Sequence, residues 1–287
     1  MQKVITALSR NRVTGNTVRA TSAAKGPSIK LRRIALPTEH GSWGILLEPL
    51  IGGIVVAFST AAPFVALFFV GAFLMRQPLK IFLADTKAGR KREQTNIALK
   101  FVLGYGVVFF IGLVGMLMTA RLYSLVPLLL VAPLAAVQIG YDAAGKSRRV
   151  LPELLGAIAL SSSASVTALA AGWSYLAAGA LSAIFVLRLI PSMLYVRERL
   201  LLEKGKKYSY LLPSAAHVAG LAGIVALILY GLAPRLTLPV FVVLLTRELS
   251  GLSRFRQKLR ATQIGVLEVI YGVLVVLSVV VGHYTNL

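Results

Sequence analysis

Residues 97–140 read IALKFVLGYGVVFFIGLVGMLMTARLYSLVPLLLVAPLAAVQIG, and beyond Lys100 the only charged residue in the run is Arg121. A helix needs about 20 mainly apolar residues to cross the ~30 Å hydrocarbon core of a bilayer, and this run supplies two such segments, 97–120 and 122–140, back to back. Working outward, the same unit recurs at 41–59, 61–84, 151–171, 173–196, 210–231, 236–249 and 262–281. The pattern predicts an all-α membrane protein, a bundle of nine transmembrane helices.

Charge gives the bundle a direction. Of the 31 Lys and Arg residues, all except Arg121 and Arg235 fall in the first 36 residues or in and beside every second gap. Because cytoplasmic loops retain Lys and Arg, the N-terminus is expected in the cytoplasm and, after nine crossings, the C-terminus outside. The other gaps are short and nearly uncharged. Location in the cell inner (plasma) membrane, as a multi-pass protein, is the matching expectation.

Composition agrees, with 57% hydrophobic and 14% charged residues and a mean hydropathy of +0.78. Two units are expected: residues 1–36 as a basic, disordered cytoplasmic tail, and 37–287 as one transmembrane domain. The tail has eight basic and no acidic residues, with many Ser, Thr and Ala, in the manner of a transit peptide, a tail held on anionic lipid, or an extended reading frame. A net charge of +21 would suggest nucleic acid in a soluble chain. Here it lines one membrane face, so the expected partners are membrane lipids, the anionic headgroups of the cytoplasmic leaflet, and not nucleic acid. With no cysteine, thiolate chemistry and disulfides are excluded.

Two stretches look alike. Arg76 is followed by Pro78 and then Lys80, Lys87, Arg90, Lys91 and Arg92. Arg188 is followed by Pro191 and then Arg197, Arg199, Lys204, Lys206 and Lys207. Fifteen residues into its segment, each Arg stands about 22 Å from the outer end. The spacing suggests a duplicated four-helix unit with a ninth helix appended.

All ten carboxylates fall in or near the basic half, and Glu48 and Glu268 lie well inside apolar segments. An ionisable group there needs water, a partner or the bundle interior. Gly41, Gly44 and Gly52 share a helical face with Glu48, which predicts close approach of another helix over that carboxylate. Either it forms an ion pair, with Arg76 or Arg188, or it serves a substrate or proton. Thr38 and Glu39 suit a helix start, and Trp43 suits an interface. His40, two turns from Glu48, and His217, after Pro213, are candidates for proton transfer. His283 is assigned no role.

Pro37, Thr38, Glu39, His40, Gly41, Ser42, Trp43 and Pro49, with Arg76, Gln77, Pro78 and Leu79, resemble the YwiC-like integral membrane proteins of bacteria. More broadly, the architecture is similar to the UbiA-type intramembrane prenyltransferases. That resemblance implies nine helices, a cytoplasmic N-terminus and functional loops after helices 2 and 6. It also implies two loops with paired aspartates four residues apart, holding magnesium on a prenyl diphosphate. Here Gly89 follows Asp85 at that spacing and Leu202 follows Glu198, so the carboxylate oxygens that magnesium requires are missing and magnesium is not expected. No other cofactor is expected.

Basic residues stand there instead. Arg76, Lys80, Arg188, Arg197 and Arg247 are the candidate ligand-binding set, able to hold a phosphate or carboxylate headgroup directly, with His40, Glu48 and His217 as the candidate catalytic residues. The plainer reading is that the arginines snorkel. The function expected is binding of an anionic lipid or isoprenoid in a cytoplasm-facing cavity, as in a UbiA-like transferase without its metal site. The alternatives are a small proton-coupled transporter, with residues 161–163, Ser165 and Thr167 as polarity toward the exit, or a non-catalytic membrane component. Whether the protein is an enzyme is left open by the sequence.

Overall fold

The computed structural model describes residues 31–37, 40–90 and 92–287, with His40 by its backbone alone. The expectations for residues 1–30, for Thr38 as a helix cap, for Glu39, and for the side chains of His40 and Lys91 lie outside the described residues. From Leu31 onward the chain is one compact unit.

Among the described residues the structure is helical, without strands. A short helix α1 (Leu31–Ala35) buries Ile34 and Ala35 against α3 and α4. Then come α2 (His40–Val56), α3 (Ala62–Lys87), α4 (Glu93–Thr119), a 3-10 turn at Leu122–Leu125 leading into α5 (Val126–Ala143), α6 (Val150–Ala170), α7 (Tyr175–Glu203), α8 (Leu211–Leu229), α9 (Thr237–Leu252) and α10 (Ala261–Thr285). Each of the nine apolar segments falls on one of α2 to α10. Seven of these helices, α5 counted with its leading turn, are long and apolar enough to cross a membrane, whereas α2 has 17 residues and α9 has 16. At 1.5 Å per residue the two short ones span about 24–26 Å.

Lipid-facing surfaces follow from the composition. Leu103, Phe110, Met118, Leu129 and Leu229 are 61–82% exposed, a belt that water would not tolerate on a stable monomer. Exposed Tyr175, Tyr230 and Tyr284 gather at one end, and Tyr208, Tyr210 and Phe255 at the basic end, as interfacial aromatics do. At the turn between α6 and α7, Gly172 adopts φ +90°, open to glycine and to few other residues. Ser174 then caps α7, its Oγ accepting from Ala177 N at 3.2 Å.

Packing is governed by small residues, since lipid tails compete with apolar side chains. In the α3–α4 hairpin, a Cβ added at Gly112 would lie 2.3 Å from Phe68 N, and one at Gly71 would lie 2.6 Å from Phe109 N. Helix α6 is the most enclosed, packed by α2, α5 and α7. Its Ser161, Ser162, Ser165 and Thr167 bond carbonyls three or four residues back, and Ser182 of α7 donates to Ser161 O and accepts from Ser165 N. Of the hydroxyls expected to point toward an exit, four thus bond carbonyls of their own helix, and Ser163 Oγ is buried without a partner. The prolines do not end their helices: α3 runs through Pro78 to Lys87, and α7 runs through Pro191 to Glu203. Pro191 cannot bond the Leu187 carbonyl, and Gly220 brings the α8 backbone against it, a Cβ there lying 2.8 Å from Leu187 O.

Six helices close a ring by successive contacts, α2 to α6, α7, α8, α9, α10 and back to α2, while α3, α4 and α5 form a flank. Toward the end away from the basic loops, the ring is filled by an apolar core that includes Ile184, Phe185, Ile224, Phe241, Leu244 and Val275. Immediately beyond Phe185, toward the basic end, the filling becomes ionic.

Candidate functional site

Four charged side chains meet there. Glu48 from α2 faces Arg188 from α7, Oε2 to Nε at 2.9 Å, and both residues are buried. Arg188 also donates to Glu268 O of α10 at 2.8 Å, with its Nη1 at 3.6 Å from Glu268 Oε2. Arg247 from α9 bonds Glu268 Oε1 at 2.6 Å and reaches Ser192 Oγ at 3.4 Å. Two guanidiniums and two carboxylates therefore alternate, and with all four ionised they balance.

The surrounding residues are shaped to admit them. A Cβ added to Gly272 would lie 2.1 Å from Glu48 Oε1, so the absence of a side chain on that turn of α10 leaves room for the carboxylate. The expected glycine face of α2 is realised in part. Gly52 receives the Phe185 ring and Gly44 lies beside Glu48, but the closest backbone approach is Gly53 to Ala164, and Gly41 has nothing near it. The Arg247 guanidinium lies between two rings, 4.4 Å from the Tyr195 centroid and 4.7 Å from that of Tyr271, an arrangement worth about 0.5–2 kcal/mol per cation–π contact.

His217 on α8 borders the network. The Pro213 carbonyl accepts from its Nδ1 at 2.9 Å, which leaves Nε2 as the lone-pair nitrogen of the neutral ring, and the ring meets Tyr195 edge to face. That Nε2 is buried without a hydrogen-bond partner, and so is Arg247 Nε. A buried polar atom in this condition is unfavourable by about 1–3 kcal/mol, and a site that keeps several is suited to taking up a polar guest.

The five candidate ligand-binding residues do not converge. Arg76, 37% exposed, pairs through Nε with Asp142 of α5 at 2.8 Å. Arg197 lies at the basic surface with Glu153 at 3.7 Å and the Arg148 carbonyl at 3.1 Å. Lys80 is half-buried on α3. Only Arg188 and Arg247 share a partner, Glu268. The two look-alike arginines thus occupy different surroundings, because α7 is part of the ring while α3 lies on the flank. Of the proton-transfer candidates, Glu48 and His217 border the same network. His283, given no role, stacks on Trp173 with centroids 5.3 Å apart.

Sequence reasoning named Glu268 as an acid inside an apolar segment without assigning it to the site, and it missed Ser192, Tyr195, Tyr271 and Glu248 as neighbours of that site. A signal for part of this was present: Arg188, Ser192, Tyr195, Arg199 and Glu203 recur at intervals of three and four and so share one face of α7. Among the described residues, no three His, Asp or Glu side chains gather as a metal site.

No curated protein and no solved structure matches the chain. The part that does match a family model runs from the residue before Pro37 into α6. It takes in Glu48, Arg76 and Asp142 but stops short of Arg188, Arg247 and Glu268. Residues 36–168 match the model of the YwiC-like protein family, which bears out over that stretch the resemblance carried by Pro37, His40, Gly41, Ser42, Trp43 and Pro49.

Proposed function

We propose that this polytopic membrane protein binds an anionic group, a phosphate- or carboxylate-headed lipid or isoprenoid, at Arg188 and Arg247, and takes up a proton with it. The observation that carries the reading is the Glu48–Arg188–Glu268–Arg247 network, held inside a ring of helices with Arg247 Nε and His217 Nε2 buried and unpartnered.

Charge balance supplies the second half. An arriving anion must draw a guanidinium away from its glutamate, and that glutamate, left ionised in a low-dielectric interior, would destabilise the bound state by several kcal/mol. Protonating Glu48 or Glu268 restores neutrality. Bidentate guanidinium contacts then hold the headgroup, while the ligand's tail lies among apolar helices. This joins the anionic-lipid and proton-coupled readings in one site.

The supporting topology is nine crossings, with α2 and α9 as short ones, the N-terminus in the cytoplasm and the C-terminus outside. The UbiA-like arrangement and a plasma-membrane location belong to the same proposal. The site then faces the cytoplasmic leaflet, where anionic lipid is available.

The test is made on protein purified and reconstituted in nanodiscs in weak buffer. Adding a short-chain phosphatidic acid should raise the external pH as protons are taken up, and native mass spectrometry should show the lipid retained. Arg188→Gln should lose the lipid, whereas Glu48→Gln should retain it with proton uptake reduced. Retention undiminished in both Arg188→Gln and Arg247→Gln would overturn the reading.

A further inference from the structure

Helix α7 carries a polar stripe that continues from the network to the basic end. Arg188, Ser192, Tyr195, Arg199 and Glu203 lie on one face, and the first four are buried. From Arg188 to Glu203 the stripe runs about 22 Å.

Other elements line it with polar groups. Helix α8 contributes His217 and Ser214, whose Oγ donates to Glu248 Oε1 at 2.9 Å. Helix α9 contributes Arg247 and Glu248, the latter fully buried with no ion-pair partner among the described residues. It also contributes Gly251, where a Cβ would lie 2.3 Å from Tyr195 Oη. The loop after α9 contributes Arg256, 3.7 Å from Glu203, and the Gln257 carbonyl, which accepts from Arg199. Glu203 also pairs with Arg199 at 2.9 Å.

Two observations on this stripe point the same way. Among the described residues, every buried side-chain polar atom without a hydrogen-bond partner belongs to the stripe or the network, except Ser59 Oγ and Ser163 Oγ. Those that have no ion-pair contact either are Arg199 Nε and Nη1 and Glu248 Oε2 along the stripe, with Arg247 Nε and His217 Nε2 beside it. Buried polar atoms are ordinarily satisfied, and water supplies the bonds where protein does not. In contrast, the far side of the network is packed with Phe185, Ile224, Phe241 and Leu244, apolar side chains that offer water no hydrogen-bond partner.

We infer that the face of α7 from Arg188 to Glu203, with α8, α9 and the loop after α9, walls a water-filled half-channel through which protons reach Glu48 and Glu268 from the basic end alone. Glu203, Glu248 and His217 stand along it as proton-exchanging groups, while Arg199, Arg247 and Arg256 keep other cations out. The inference deepens the proposed function by giving its proton a route, but its test needs no ligand. Lipid binding and water access can therefore fail independently.

The chain has no cysteine, so single-cysteine variants report without background. Ser192→Cys and Ser214→Cys sit on the half-channel, and Ser278→Cys sits in α10 beside the apolar filling. Each full-length variant is reconstituted in vesicles and given a small, charged, membrane-impermeant thiosulfonate on either side. Thiol reactivity follows access to water and thiolate formation, so the two half-channel cysteines should react at least about tenfold faster than Ser278→Cys, from the basic face only. Equal rates at all three positions, or equal reaction from both faces, would overturn the inference. Should a variant fail to run as a single species on gel filtration, the unaltered protein answers with a water-soluble carbodiimide applied at the basic face. Modification of Glu248 alongside exposed Glu93 supports the half-channel, and modification of Glu93 with Glu248 untouched sinks it.

Discussion

At the residue scale, Arg188 joins two glutamates through three helices, so its loss has a sign that the geometry fixes. Arg188→Met would leave Glu48 with no cation and Glu268 with Arg247 alone. Breaking a buried pair by removing one member typically destabilises by about 3–5 kcal/mol. Denaturation of the purified protein in detergent should show a loss of that order for Arg188→Met. The double change Glu48→Gln with Arg188→Met should recover part of it, because no unpaired carboxylate then remains on α2. A double variant no more stable than the single one would mean that Glu48 is hydrated rather than paired. Glu48 illustrates what was legible. Its position inside an apolar segment announced a partner, and Arg188 was one of two candidates named for it. Choosing Arg188 over Arg76 required knowing that α7 enters the ring and α3 stays on the flank.

At the element scale, the helices are set by apolar runs and joined by glycine, and the glycines are not equivalent. In α4, Gly112 faces the backbone of α3, where a Cβ would meet Phe68 N at 2.3 Å and Phe64 O at 2.8 Å, whereas Gly106 has nothing within 4 Å. Backbone cannot step aside. Gly112→Ala is therefore expected to separate the hairpin and destabilise it by about 1–3 kcal/mol, the usual effect of overpacking. Gly106→Ala should be neutral or slightly stabilising, since alanine is the better helix former. Thermal unfolding of the two variants side by side checks this, and equal effects would contradict the packing. Pro78 and Pro191 mark the complementary lesson. Each removes a backbone donor, yet both helices continue for two or more turns, because neighbouring backbone and membrane surroundings maintain them.

At the whole-molecule scale, the distribution of Lys and Arg predicts sidedness. The cysteine-free chain makes that easy to check with exposed single cysteines at Thr60→Cys, between α2 and α3, and Ala144→Cys, after α5. In intact cells an impermeant maleimide should label Thr60→Cys and leave Ala144→Cys unlabelled until the membrane is opened. The reverse pattern would invert the orientation, and labelling of both from one side would mean that an odd number of crossings does not separate them. The ring topology also explains why the charged network is compatible with a bilayer. Its carboxylates and guanidiniums face one another inside six helices, and the exposed positions of those helices are mainly apolar.

Hydropathy and the placement of basic residues determined a helical membrane protein, the positions of its helices, and Glu48 and Glu268 as acids inside apolar segments, because insertion depends on local composition along the chain. Which arginine meets which glutamate, the separation of Arg76 and Arg197 from Arg188, and the continuous polar face of α7 were decided only by the closing of α2, α6, α7, α8, α9 and α10 into a ring. The physical reason is that an ion pair in a low-dielectric interior depends on distances between helices remote in sequence, and periodicity within one helix carries no record of its neighbours.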